Sequence, residues 1–508
     1  MQINGSSDLG FVGKTEPDGV PLSFQDIGNY AGFIADELTS KGISSGDCVA
    51  LWLVKGQDKL AAILGCWMIG AVFCVLPSFA GNIKTERSQN RIESVFSVLK
   101  PKLLLQGTTD LLPPQAHAGV PSMTLSSFND QTASRSDIRT AIAARKPDEL
   151  AFIQFTSGST GGKARGAEVR FGQLQANLDA LTRRTELSAS DHMVSWAPLY
   201  HDMGLMAVLL ALRCGADLTL IETDHFVRRP SVWLEAISKG RGTITTGPPT
   251  ALKLLTRRVA KDVDLSFLRY AWIGGEAVFP NVVEGFEATY EDAGLSKGVI
   301  QPTYGMAETV VGISCGIPGA AWHAQDGAIS CGPALDNMTL QIQSEDGQPC
   351  ADGTHGKIMV RGPSVIDGYL DHDRFDPNDW FETGDLGFLQ DGLLFVTGRI
   401  KDVLKRGAES YPASLVEAVA EDALELRTGR VAAFVNFRTD LGKEEIVLLV
   451  ESRVWEEQDT RRVASAVLSE LGLQVDVIKA ANGGRLPRTS SGKLMRQMAA
   501  KHYQEGLL

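Results

Sequence analysis

At 508 residues, 44 % of them hydrophobic and 22 % charged, the chain is long enough to bury more than one core. Its 49 Lys and Arg stand against 61 Asp and Glu, and a net charge of −12 gives no electrostatic footprint for nucleic acid or an anionic membrane surface. With that charge small-molecule partners fit better, and seven scattered cysteines, never spaced Cys-x-x-Cys, argue against a disulfide framework and a zinc site and point to a reducing cytoplasm.

In chain order, residues 1–16 carry no basic start followed by an apolar run, so no secretory signal is expected. The uncharged stretch Leu60 to Leu76 falls short of the ~20 residues a membrane span needs. Gly70-Ala71 divides it into a short helix and a β-branched strand ended by Pro77, so burial is expected and no span. Apolar runs at Cys48 to Val54, Val72 to Leu76, Leu150 to Thr156, Leu218 to Glu222 and Tyr270 to Ile273 alternate with helical patterns such as Ser231 to Lys239. That alternation predicts a doubly wound α/β body. From Gly332 the texture changes to short strands with Gly and Asp turns, which predicts a small β subdomain. A charged stretch follows Thr397-Gly398-Arg399, and the residues beyond it carry their own helices and strands. The expected division is a large N-terminal domain over 1–398, a hinge at 399–401 and a smaller, mobile α+β domain over 402–508.

The segment Phe155-Thr-Ser-Gly-Ser-Thr-Gly-Gly-Lys-Ala-Arg-Gly166 directly follows a predicted strand. Its small residues let backbone N–H groups and hydroxyls approach phosphate oxygens, while Lys163 and Arg165 supply positive charge. It is not a Walker loop, because the first Gly and the Ser/Thr after Lys are misplaced. Taken alone, it leaves a flexible surface loop as the lesser alternative.

It does not stand alone. Thr156-Ser-Gly-Ser-Thr-Gly161, Tyr304-Gly-Met-Ala-Glu-Thr309, Thr383-Gly-Asp-Leu386, Gly398-Arg-Ile-Lys-Asp402 and Ser491-Gly-Lys493 follow one another between Leu22 and Met495. This ordered set resembles the adenylate-forming superfamily of acyl-CoA synthetases, nonribosomal peptide adenylation domains and luciferases. Trp196-Ala-Pro-Leu-Tyr-His-Asp-Met-Gly-Leu205 and Phe226-Val-Arg-Arg-Pro-Ser-Val-Trp-Leu-Glu-Ala-Ile237 are most similar to the fatty acyl-AMP ligase branch.

The resemblance implies ATP-dependent activation of a carboxylic acid, a fatty acid in the leading reading, to acyl-AMP with release of pyrophosphate. Transfer to a phosphopantetheine thiol, of an acyl carrier protein or of coenzyme A, would follow. It implies that Lys493 reaches the carboxylate and the α-phosphate, a step that brings two anions together and needs a positioned cation. Glu308 and Thr156 would hold Mg²⁺, a hard cation suited to oxygen ligands. Thr156, Ser157, Gly158, Ser159, Thr160 and Gly161, with Lys163 or Arg165, would hold phosphates. Gly275 and Glu276 would approach adenine, on which Tyr304 stacks, with Gly305, Met306 and Thr309 of the same motif beside it. Asp385 would accept from the ribose hydroxyls with Arg399 assisting, His201 would stand at the mouth of the acyl pocket, and Lys401 would be the hinge residue.

Three departures from the family pattern matter. The phosphate loop is one residue longer than usual and lacks its proline, so either Lys163 or Arg165 takes the place of the usual lysine. Val227 stands where amino-acid-activating relatives carry the aspartate that pairs with the substrate ammonium; a desolvated ammonium without that partner favours a plain acid. Between Glu308 and Cys331 there is no room for the long insertion of many acyl-AMP ligases, and Arg406-Gly-Ala-Glu-Ser-Tyr-Pro412 is closer to coenzyme A ligases, which leaves the acceptor open. The rival readings are an amino-acid or aryl-acid adenylation enzyme and a catalytically silent homologue.

Overall fold

The 60–76 stretch folds as its punctuation predicts. The helix Gly56–Ile69 ends at Gly70, whose φ of 77° is the left-handed cap that glycine adopts freely, and the strand Val72–Val75 follows. This computed structural model describes residues 11–13, 22–77, 86–108, 111–112, 117, 119–125, 138–156, 165–325, 327–372, 374–376, 378–406, 409–427, 429–438, 443–452, 454–481, 485–488 and 493–508.

The architecture is α/β. One six-stranded sheet runs in the order Ser122–Thr124, Leu103–Gln106, Cys48–Trp52, Val72–Val75, Leu150–Thr156 and Arg165–Arg170, parallel except at its last pair. A second, eight-stranded sheet has a parallel centre formed by Ile300–Tyr304, Tyr270–Ile273, Ile244–Gly247, His192–Ser195 and Asp217–Leu220. Strands buried on both faces read as continuous apolar runs rather than alternating ones, which is why Cys48–Trp52, Val72–Val75, Leu150–Thr156 and Tyr270–Ile273 were visible in the sequence. Trp67, Phe73, Phe152 and Phe171 pack ring to ring between the first sheet and its helices.

The β texture expected from Gly332 is a six-stranded antiparallel sheet. It runs Ala324–Gln325, Ala328–Pro333, Leu393–Arg399, Phe381–Gln390, Gly356–Arg361 and Thr339–Gln343, so it begins slightly earlier in the chain than its Gly and Asp turns indicated. Beyond Arg399 comes one turn of 3₁₀ helix, Ile400–Asp402, with no buried residue. The hairpin Val403–Arg406 with Glu409–Pro412, the three-stranded sheet Val431–Arg438, Lys443–Val450 and Val477–Ala480, and the helices Ala413–Ala423 and Glu457–Leu471 follow. Two apolar clusters there draw only on residues from Leu404 onward. No described helix is long and apolar enough to cross a membrane.

Candidate active site

The strands Ile244–Gly247 and Tyr270–Ile273 are followed by the helices Pro249–Arg257 and Pro280–Tyr290. Each helix opens on a proline, whose fixed φ and missing N–H suit the first helical position. The carboxyl ends of these parallel strands, the edge where open α/β sheets bind ligands, therefore carry Thr250 and the turn at 274–276. Gly275 there has φ of 76°, and a Cβ on it would lie 3.3 Å from Met203 Cε and 4.0 Å from Lys493 Nζ. Lys493, far along the chain, is thus brought over this turn.

Three carboxylates face the Lys493 ammonium. Burial raises the pKa of Asp202, Glu276 and Asp385, and attraction to Lys493 opposes the rise in each case. The side chain of Thr250 bonds Glu276. Asp385 Oδ2 accepts from the Tyr304 hydroxyl at 2.7 Å, and Arg399 Nε lies 3.3 Å from its Oδ1. Glu308 stands beyond Asp202, whose charge raises its pKa further after burial has done most; its Oε1 accepts from Tyr369 OH at 2.7 Å. The Arg165 guanidinium lies 5.4 Å from the centre of the Tyr369 ring. The structure thus gathers Lys493, Glu276, Tyr304, Asp385 and Arg399, with Asp202 and Arg399 acting on Glu308 too and Tyr369 standing between Glu308 and Arg165.

The remaining expected residues fall as follows. Thr156 ends its strand opposite Arg165, and that strand touches the 3₁₀ turn Ala307–Thr309 bearing Glu308. Ser157, Gly158, Ser159, Thr160, Gly161 and Lys163 lie outside the described residues, as do Ser491 and Gly492. Gly305 is required sterically, since a Cβ would stand 1.5 Å from Val311 O. Thr309 is fully buried and its hydroxyl donates to Met306 O at 3.0 Å, so both hold the shape of the turn. His201 is half-buried at the start of the helix Asp202–Cys214, its ring 4.7 Å from that of Tyr200. Lys401 is exposed in the 3₁₀ turn after Arg399. Magnesium fits the donors present: Glu308 offers a buried carboxylate with one oxygen outside the Tyr369 bond, and Thr156 offers a hydroxyl, both hard ligands.

Asp202, Thr250 and Tyr369 were not singled out from the sequence. Asp202 had a signal, its place beside His201 in a recognisable motif. Tyr369 had none, because only the fold brings it to Glu308 from 61 positions away. One expectation is corrected. Val227 is 68 % exposed, on the outer face of the helix Thr223–Arg228, while Phe226 turns inward and stacks on Trp196 with ring centroids 3.6 Å apart. The side chain at 227 therefore says nothing about the charge inside a pocket.

The family model of AMP-binding enzymes matches residues 10–370. A 4-hydroxyphenylalkanoate adenylyltransferase of Mycobacterium marinum is 29 % identical over 96 % of this chain and 87 % of its own. A medium-chain-fatty-acid–acyl-carrier-protein ligase, JamA, of Moorena producens is 29 % identical over 98 % and 92 %. A solved fatty acyl-adenylate ligase, from work on the E. coli and L. pneumophila enzymes, superposes with a TM-score of 0.83 at 27 % identity, covering 96 % of this chain and 93 % of that one. The chain belongs to the AMP-binding enzyme family, the adenylate-forming ligases that use ATP to activate acids.

Proposed function

We propose that the chain activates a fatty acid as its acyl-adenylate and passes the acyl group to the phosphopantetheine thiol of an acyl carrier protein or of coenzyme A. A carboxylate oxygen attacks the α-phosphorus of ATP, the bond to the β-phosphate oxygen breaks, and pyrophosphate leaves. The thiolate then attacks the acyl carbon, the carbon–oxygen bond breaks, and AMP leaves with the acid's oxygen. The observation that carries this reading is the ammonium of Lys493 over Gly275, at the carboxyl end of the parallel strands, acting on Asp202, Glu276 and Asp385.

In this reading Lys493 offsets the charge that develops when two anions meet. Asp385, oriented by Tyr304 and Arg399, accepts from the ribose, and Tyr304 lies against adenine near 274–276. Glu308 and Thr156 hold Mg²⁺, which supplies charge neutralisation on the phosphates when bound. Arg165, over the ring of the Tyr369 that bonds Glu308, takes the phosphate-binding part of the usual loop lysine in this reading. His201 borders the acid. The residues from 402 onward form a unit that turns about Lys401, because Lys493 must leave room for the thiol arm. The seven cysteines, all free thiols, fit a reducing cytoplasm.

A second reading, an aryl or amino acid as substrate, is supported by the M. marinum relative's name, and the exposed Val227 does not count against it. Pyrophosphate exchange across straight-chain, aryl and α-amino acids tests the choice. Exchange with straight-chain acids alone supports the first reading; exchange confined to aryl or amino acids replaces it.

A further inference from the structure

Asp422 is the penultimate residue of the helix Ala413–Ala423, at the negative end of the helix dipole, with Glu421 beside it and no basic residue in the last turn. A carboxylate there weakens its own helix. Its partners come from outside the two apolar clusters of the C-terminal residues. Lys253 Nζ, on the helix Pro249–Arg257, donates to Asp422 Oδ1 at 3.0 Å. Asn281 Nδ2, in the first turn of the helix Pro280–Tyr290, donates to Oδ2 at 3.2 Å. Two helices of the body therefore hold both oxygens of one carboxylate.

These two helices also wall the candidate site. Lys253 lies three positions, about one helical turn, after Thr250, which bonds Glu276. Asn281 lies at the start of the helix that follows the Glu276 turn. Asp422 and Lys493 are thus two separate points at which the C-terminal residues meet the same wall, and two points of attachment restrict rotation as one does not. The other described ion pair across this junction, Lys405 with Glu345, is 3.9 Å long and exposed at both ends, whereas the Lys253 side chain is only 17 % exposed.

We propose that Lys253 and Asn281 are positioning residues that grip Asp422, holding the C-terminal unit in the orientation that presents Lys493 to the site, and that the grip is released when the thiol arm is admitted. The proposal rests on the two-step reading above and adds to it the contact that sets the balance between the two arrangements. An ion pair with one partner, Asp422, 44 % exposed biases such a balance by about fivefold.

The test compares the wild type with Asp422→Ala and with the swapped pair Lys253→Asp, Asp422→Lys. Asp422 is 44 % exposed, so its loss leaves the cores intact. Asp422→Ala is expected to slow adenylation about fivefold while leaving thioester formation from supplied acyl-adenylate unchanged or faster, and the swap is expected to recover most of the loss. Without any substrate, trypsin should nick the chain at Arg399 or Lys401 about fivefold faster in Asp422→Ala than in the wild type. Equal changes in both half-reactions, or unchanged nicking, would overturn the grip. A wild type that exchanges pyrophosphate with no acid overturns the two-step reading, and unchanged nicking then still decides against the grip by itself.

Discussion

Replacing Lys493 by alanine removes the ammonium that acts on Asp202, Glu276 and Asp385. Its Nζ is 4.0 Å from where a Cβ of Gly275 would be, so a reacting anion lodged over that glycine would meet the ammonium at about contact distance. Two unit charges roughly 4 Å apart interact by about 4 kcal/mol at an effective dielectric of ~20. Losing one preorganised stabilising group typically costs about 10²- to 10³-fold in rate, the same scale. Adenylation by Lys493→Ala, followed by pyrophosphate exchange, should therefore fall about 10²-fold or more, whereas thioester formation from supplied acyl-adenylate should change much less. Because Lys493 is half-buried, its removal leaves no large cavity, and the thermal midpoint should hold. Equal losses in the two half-reactions would refute a role confined to the first step.

Tyr304→Phe removes the hydroxyl that donates to Asp385 at 2.7 Å, a hydrogen bond to a charged group worth about 1.5–3 kcal/mol, so the KM for ATP should rise about tenfold with kcat less affected. An unchanged KM in steady-state exchange would count against the ribose assignment. Lys401→Pro should spare adenylation and slow thioester formation; an unchanged second half-reaction would remove the hinge assignment. Glu421 is pushed up from its ordinary 4.5 to about 7, chiefly by burial and then by repulsion from Glu417, against attraction to Lys253 and hydrogen bonds from the Arg430 and Val431 amides. The fold thus favours the protonated acid: its contribution is complete below pH 4.5 and is lost as pH rises through 7. Denaturant unfolding at pH 5 and pH 8 should show the wild type losing on the order of 3 kcal/mol more than Glu421→Gln, and equal losses would contradict the burial account.

The strands Cys48–Trp52, Val72–Val75, Leu150–Thr156 and Tyr270–Ile273 were legible because strands covered on both faces are apolar throughout, whereas Ile300–Tyr304, with Gln301, Pro302 and Thr303, carries no such run. The Gly70 break was legible because a left-handed helix cap excludes most other residues. Asp217–Leu220 ended before the expected Glu222, whose carboxylate accepts instead from the Gly56 amide at the start of another helix, a tertiary contact that no local pattern encodes. In the site, residues within motifs could be picked out one by one, but not their meeting. The Tyr304–Asp385 bond joins positions 81 apart and the Tyr369–Glu308 bond positions 61 apart. Val227 was misjudged because alignment to a motif fixes a position along the chain, whereas facing inward depends on helix phase, and there the phase favours Phe226.

The most direct test of acid activation through an acyl-adenylate follows the acid's own oxygen. A fatty acid labelled with oxygen-18 in both carboxylate positions is incubated with the wild-type chain, ATP, magnesium and a phosphopantetheine thiol, and the products are examined by mass spectrometry. Attack on the α-phosphorus predicts one labelled oxygen in AMP and none in pyrophosphate. Label in pyrophosphate or inorganic phosphate, or unlabelled AMP alongside thioester, would contradict the account.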